Sequence, residues 1–371
     1  MSIIRNLAYQ FFFEILRIMD KSYKAVGLMS GTSLDGLDIT LCTFYLSQSK
    51  WSFSVDRSTT IPYTSVWKRK LMQAHELGGF SLIQLHKDYG KFLGEKINEF
   101  LIEEKGKIDL IASHGHTIFH VPEKKMTFQL GDGNSIAAET NQTIVSDFRS
   151  MDVALGGQGA PLVPIGDEYL FGNYDFCLNL GGFSNISYNK DRIRVAYDSS
   201  PANIILNYLM NSLGKEYDKD GETGRKGNIN KQLFNELNKL EYYSILPPKS
   251  LGREWVEDEL IPILGRFHVS IEDKIRTVYE HIALQICQPI QDFKKGTILV
   301  TGGGTHNKFL VERLKSNTKH TLILPENQII DYKEAIIFAF LGVLRIRGEN
   351  NCLASVTGAL KDNMGGIVIG G

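Results

Sequence analysis

The 371-residue sequence predicts an α/β chain made of two related halves with a ligand cleft between them. Two strand–glycine turn–strand units lie about 150 residues apart, the sign of a duplicated architecture. A third glycine-rich turn leads from a strand into a helix and adds another ligand-facing element.

The first half opens with strands at 23–29, 37–46 and 51–60. Between the first two lies the turn Gly31-Thr32-Ser33-Leu34-Asp35-Gly36-Leu37-Asp38. Its glycines allow close backbone approach, and successive N–H groups in such turns form concave anion sites. Thr32 and Ser33 add hydroxyl donors. Asp35 and Asp38 repel phosphate but can hold Mg²⁺, directly or through water. An ordinary type I′ hairpin turn is the competing reading. Helical periodicity follows at 65–76 and 81–103, with strands at 109–113, 127–130 and 143–146 and a short helix near 134–140.

The second half repeats the opening. Strand Phe176–Leu180 runs through Gly181-Gly182-Phe183-Ser184-Asn185 into a strand at 186–188, and another strand spans 192–197. Helices are expected from near Pro201 and at about 229–240, 253–264 and 270–291. Strand Thr297–Thr301 feeds Gly302-Gly303-Gly304 and a helix from about Asn307, and a last long helix spans about 333–347. A bulge at Gly181-Gly182 and a helix cap at Gly302–304 are the alternatives to ligand binding.

Composition narrows the function. The chain is 43% hydrophobic and 22% charged with a net charge of −1, an ordinary globular balance without the basic footprint of a nucleic-acid binder. Its four cysteines are scattered with no C-x-x-C pair, which fits a reducing cytoplasm and argues against a zinc or disulfide framework. There is no apolar run of 18 residues, and no strand leads into G-x-G-x-x-G. Each Gly-Lys pair lacks the Ser or Thr of a P-loop, and Ser33 lacks the G-x-S-x-G elbow of a serine hydrolase. Residues 1–18 read as an extension ahead of a natural start at Met19.

The motif Gly27-Leu28-Met29-Ser30-Gly31-Thr32-Ser33-Leu34-Asp35-Gly36 closely resembles the opening of the anhydro-N-acetylmuramic acid kinases. The likeness continues through Ser113-His114-Gly115-His116-Thr117-Ile118-Phe119-His120, Asp147-Phe148-Arg149, Gly156-Gly157-Gln158-Gly159-Ala160-Pro161 and Leu178-Asn179-Leu180-Gly181-Gly182. It includes Pro248-Lys249-Ser250-Leu251-Gly252-Arg253-Glu254, Gly302-Gly303-Gly304 and Val356-Thr357-Gly358-Ala359-Leu360, and so covers 24–360. The resemblance implies a two-domain actin-like ATPase (ribonuclease H-like) fold with an interdomain cleft. The domains would be 19–150 with about 350–371, and 151–349.

It also implies an activity. Members phosphorylate O6 of 1,6-anhydro-N-acetylmuramic acid with ATP while water opens the ring at C1, giving N-acetylmuramic acid 6-phosphate. They use Mg²⁺, work in cytoplasmic cell-wall recycling and are typically homodimers. ATP would contact Gly31–Asp38, Gly181, Gly182, Gly302, Gly303 and Gly304, with Mg²⁺ held through water by Asp35 and Asp38. Asp198 would activate the water, a base that inverting glycoside cleavage needs, with helix N-capping as its alternative. Glu334 would contact the sugar, or else be a solvated first-turn glutamate. Arg149 would hold a carboxylate or phosphate, or else pair with Asp152. His114 and His116 would share one strand face and, with His120, line the sugar site in preference to binding zinc.

Three departures from the family pattern stand out. His116 replaces a common Gln, Ser200 and Ala202 replace glycines near Asp198, and 165–168 lacks a histidine. A related sugar kinase of different specificity and a non-enzymatic nucleotide switch are the other functions open to this sequence.

Overall fold

The computed structural model describes residues 21–31 and 34–370. The N-terminal extension, Met19, Thr32 and Ser33 therefore lie outside the described residues. The chain forms two compact units: one runs to Leu170 and takes up the chain again at Glu334, and the other is Phe171–Lys333. The sequence reading drew these divisions at 150/151 and near 350. The segments between belong with the first unit for a packing reason. A side chain at Gly166 would meet Ile337, and one at Gly27 would collide with the Ala335 carbonyl.

The strands of the first unit are β1 (Lys21–Ser30), β2 (Gly36–Ser47), β3 (Lys50–Pro62), β4 (Leu110–Val121), β5 (Met126–Leu130), β6 (Ile144–Ser146) and β12 (Ile367–Ile369). The sheet order is β12-β6-β4-β1-β2-β3, with β5 paired to β4. β1, β2 and β3 form an antiparallel meander, while β4 pairs parallel to both β1 and β6. The chemistry of each strand fits its place. Leu110, Ile111 and Ala112 of β4 are fully buried, as a parallel inner strand requires. β3 alternates exposed polar residues (Lys50, Ser52, Ser54, Asp56) with half-buried apolar ones (Trp51, Phe53, Val55), as suits an edge strand with one face on the sheet's packing side. Helix Gly79–Leu101 covers one face, sinking Leu85, Tyr89, Leu93 and Ile97 into a core with Val26, Leu28, Leu37 and Ile39. Each such large apolar side chain contributes about 1.5–3 kcal/mol on burial.

The second unit contains β7 (Phe176–Leu180), β8 (Phe183–Lys190), β9 (Ile193–Pro201), β10 (Thr297–Thr301) and β11 (Thr321–Ile323). Its order is β11-β10-β7-β8-β9, with β7–β8–β9 antiparallel and β10 parallel to both β7 and β11. With β5 and the edge strand β12 set aside, the first sheet reads β3-β2-β1-β4-β6 and the second β9-β8-β7-β10-β11, the same order with the same directions. This is the ribonuclease H-like pattern of the actin-like fold, and it bears out the expected duplication.

Several elements differ from expectation. β4 extends to Val121, well beyond 113, because residues 116–121 pair with β5. Helices Ser150–Ala154 and Pro164–Leu170 and strands β11 and β12 were not anticipated. The last long helix is Asn327–Ile346, so it begins six residues before 333.

Candidate active site

In the second unit the two glycine turns come together. Gly302 has φ +84°, and a Cβ there would lie 2.6 Å from Asn179 Oδ1 and 2.8 Å from the Leu180 carbonyl oxygen. A Cβ on Gly304 would lie 2.8 Å from Leu180 Cβ, so the β10 turn packs directly on the end of β7. Gly303 has nothing within 4 Å of a built Cβ. The β7–β8 turn also seats a helix: the Gly182 carbonyl accepts the N–H groups of Ala202 (2.8 Å) and Ile204 (3.1 Å), and the Gly181 carbonyl that of Asn203 (3.2 Å). These carbonyls take the first donors of helix Asn203–Asn211.

Asp198 sits within β9 opposite Asn185, not after the strand, and is not the cap of the following helix. Its backbone N–H donates to the Lys249 carbonyl (3.3 Å), and its carbonyl accepts the Tyr242 hydroxyl (2.6 Å). Its carboxylate Oδ2 accepts the Leu251 N–H at 2.9 Å. Burial raises the carboxyl from 3.8 to about 6, and the Leu251 hydrogen bond opposes that rise only in part. The group is thus poised near neutral pH, where a general base works best. The segment around Lys249 and Leu251 resembles a family motif, but its action through backbone groups had no side-chain signature to read. At the two positions where glycines are replaced, neither Ser200 nor Ala202 has positive φ, although Ala202 sits at φ −124°, ψ −99°, outside the strand and helix regions; Ser200 is buried with its hydroxyl donating to the Pro201 carbonyl at 2.9 Å.

In the first unit β1 and β2 form the expected hairpin, closing at the pair Ser30–Leu37. Within the turn Leu34 has φ +58° and Asp35 is exposed. Gly36 and Leu37 are buried, and the Leu37 side chain belongs to the core, so a ligand could meet this residue only through its backbone. Asp38 is half-buried and its Oδ1 accepts the Thr60 hydroxyl at 2.6 Å. Two carboxylates at this turn are a hard-oxygen donor set that suits Mg²⁺ bound through water. Among the described residues no group of three or more His, Cys, Asp or Glu forms a metal cluster.

Also in the first unit, Arg149 sits in one neighbourhood with His114, His120 and Glu334. Its Nε (3.2 Å) and Nη2 (2.8 Å) meet His114 Nε2, and its Nη1 donates to the Gly159 carbonyl at 2.6 Å. Burial lowers Arg149 to about 10, while Glu334 raises it, so it stays cationic. The hydrogen bonds of Asp152 run to other groups: it is fully buried and accepts from Gly159 N–H, Thr357 and Asn363. Glu334 lies beyond the first turn of its helix and is half-buried, which removes the solvated first-turn reading. His120 is exposed at its Thr127 contact (3.1 Å), and its pKa is lowered by burial and then by Arg149.

His114 and His116 do not act as a pair. Gly115 has φ +74° and the β1–β4 register shifts there; only glycine fits, since a Cβ at 115 would strike the Leu130 carbonyl. His114 therefore serves Arg149. His116 Nδ1 meets the Ser30 hydroxyl at 2.9 Å, in a chain that runs on to Tyr63 (2.7 Å) and Tyr89 (2.6 Å). Burial brings His116 down to about 4, so it is neutral at physiological pH.

Comparison with known proteins identifies the family. The family model described as anhydro-N-acetylmuramic acid kinase matches residues 23–370. Proteins named anhydro-N-acetylmuramic acid kinase are similar along nearly their whole length. The one from Sulfurimonas denitrificans is 32% identical over 92% of this chain and 98% of its own. The one from Mannheimia succiniciproducens is 36% identical over 92% and 98%. That from Vibrio cholerae is 35% identical over 91% and 95%. On this match the chain belongs to the anhydro-N-acetylmuramic acid kinase family.

Proposed function

We propose that this chain is an ATP-dependent kinase that converts 1,6-anhydro-N-acetylmuramic acid, water and ATP into N-acetylmuramic acid 6-phosphate and ADP. Family membership supports the reaction, and one observation supports its mechanism. Asp198 is a carboxylate with its pKa raised to about 6 by burial and one oxygen fixed by the Leu251 N–H. In our reading Asp198 takes a proton from water as the water oxygen bonds to C1. The C1–O6 bond breaks, and O6 takes the γ-phosphoryl group as its bond to the β-phosphate oxygen breaks. The departing O6 receives phosphorus and not a proton, so one carboxylate suffices.

In the same reading Arg149, His120 and Glu334 bind the sugar, with Arg149 on its carboxylate. The backbone of Gly31–Asp38 and the turns at Gly181, Gly182, Gly302, Gly303 and Gly304 cradle ATP. Asp35 and Asp38 would hold Mg²⁺ through water, and the ion when bound neutralises phosphate charge. A cytoplasmic homodimer completes the proposal. No helix among the described residues is long and apolar enough to cross a membrane.

The test is a coupled assay with ATP, Mg²⁺ and the anhydro sugar in ¹⁸O-water, followed by mass analysis of the product. Label at C1 and phosphate at O6 are expected. An unlabelled product would rule out water attack, and phosphorylation of plain N-acetylmuramic acid in preference to the anhydro sugar would point to another sugar kinase.

A further inference from the structure

We propose that His114 is a positioning residue that aims Arg149 at the carboxylate of the sugar and thereby sets the preference for an acid-bearing anhydro sugar. The identity of the acid rests on the kinase reading above.

The argument starts from hydrogen-bond direction. His114 Nδ1 lies 2.8 Å from the Gly115 carbonyl oxygen, which can only accept, so Nδ1 carries the proton and Nε2 carries a lone pair. Arg149 Nε–H and one Nη2–H converge on that lone pair at 3.2 and 2.8 Å. The arrangement needs a neutral imidazole. Burial and then the Arg149 charge hold the His114 pKa well below its ordinary value. The ring is also fixed by packing, with its centroid 4.7 Å from that of Phe338.

The other side of the guanidinium is pinned as firmly. One Nη1–H donates to the Gly159 carbonyl at 2.6 Å, and Gly159 N–H donates to the buried Asp152 at 2.7 Å. A guanidinium has five N–H donors, and three are engaged here. Among the described residues one N–H on each terminal nitrogen is left without a hydrogen-bond partner, a pair of donors that suits a carboxylate. A fork held on two sides gives up little freedom when it binds, so the cost of ordering it falls on folding and not on substrate binding.

The experiment compares wild type, His114→Leu and His114→Gln, where Gln Oε1 restores an acceptor at the Nε2 position. Each is assayed with 1,6-anhydro-N-acetylmuramic acid and with 1,6-anhydro-N-acetylglucosamine, which lacks the carboxylate. In the Leu variant KM for the acid sugar should rise about 10- to 100-fold, the range for losing support of a charged hydrogen bond. KM for ATP should not move, and the preference over the neutral sugar should collapse; Gln should recover part of it. Unchanged preference in the Leu variant, or losses shared equally by both sugars and ATP with no recovery in Gln, would overturn the proposal.

If the Leu variant does not fold, His114→Asn, whose amide stops short of Nε2, replaces it, and equal preference in Asn and Gln overturns the idea. Wild type inactive on both sugars would sink the kinase reading instead. ¹⁵N NMR of the Arg149 side chain then decides on positioning. Slow guanidinium rotation in wild type and fast rotation in the variant is expected, and equal rotation in the two refutes it.

Discussion

Replacing Asp198 by Asn should exchange activity for stability, and the exchange should depend on pH in a calculable way. The folded protein raises this carboxyl from 3.8 to about 6 through burial. A raised carboxyl favours the folded state when protonated. Its contribution is fully present below about pH 4 and is lost as pH rises through about 6. The whole span corresponds to about 3 kcal/mol. Between about pH 5 and pH 8, where the unfolded chain is already ionised, wild type loses roughly half of it. Asn cannot ionise yet keeps an acceptor for the Leu251 N–H, so it avoids that loss. Other titrating groups are common to both proteins and cancel in the comparison. At about 2–4 °C per kcal/mol for a unit of this size, the melting difference between variant and wild type should move by about 3–6 °C in favour of Asn across that range. Turnover should fall about 10²–10⁴-fold, the usual cost of losing an acid–base group. Wild-type kcat/KM should climb through about pH 6, and the variant should lack that limb. Paired thermal melts and pH–rate profiles make the measurement. A melting difference that ignores pH, or a variant with wild-type turnover, would refute the reasoning.

Other perturbations test the packing and the proposed nucleotide turns. Gly27→Ala puts a methyl into the Ala335 carbonyl and should lower stability in urea by about 1–3 kcal/mol or more; an unchanged midpoint would show that helix Asn327–Ile346 yields easily. Gly302→Ala should destabilise the second unit by about 1–2 kcal/mol because its φ is +84°, read by the same unfolding assay. Gly303→Ala should leave stability unchanged or raise it by up to about 1 kcal/mol, since a Cβ there meets nothing and Ala restricts the unfolded chain, while raising KM for ATP. Asp35→Asn should raise the Mg²⁺ concentration for half-maximal rate without changing the unfolding midpoint, and an unaltered Mg²⁺ titration would remove Asp35 from the metal site.

How far the sequence could be read depended on which physical signal each feature leaves. Alternating and continuous apolar runs located β1, β2, β7 and β10 closely, because burial on one or both sheet faces dictates them. Asp198 and Arg149 could be nominated from sequence because their proposed chemistry is carried by side chains and they sit in motifs resembling the family. The partnership of His114 with Arg149 was not legible. It depends on the bulge at Gly115, where one residue in left-handed conformation cancels the period-two rule that had put His114 and His116 on one face. Leu251 escaped notice because it acts through its N–H, a group every residue but proline possesses. The start of helix Asn327–Ile346 lay outside the predicted span because the helix opens on the polar pair Asn327-Gln328, which apolar periodicity passes over.

The glycines of the turns sort into two kinds, and the sorting bears on function. Gly27, Gly302 and Gly304 are required by the fold, since a side chain at each would press on Ala335, on Asn179 and Leu180, or on Leu180. No such demand acts on Gly181, Gly182 and Gly303. None has positive φ, and a built Cβ finds ordinary contact at 3.4 Å or beyond at the first two and open space at the third. Gly costs backbone entropy relative to Ala, so a glycine that neither conformation nor packing requires is a standing loss of about 0.5–1 kcal/mol. Three such residues lie on two turns that Leu180 joins, and backbone access for an incoming phosphate chain would account for them together. Gly303→Ala separates the two kinds, because a methyl group that costs the folded protein nothing would be felt only by a ligand.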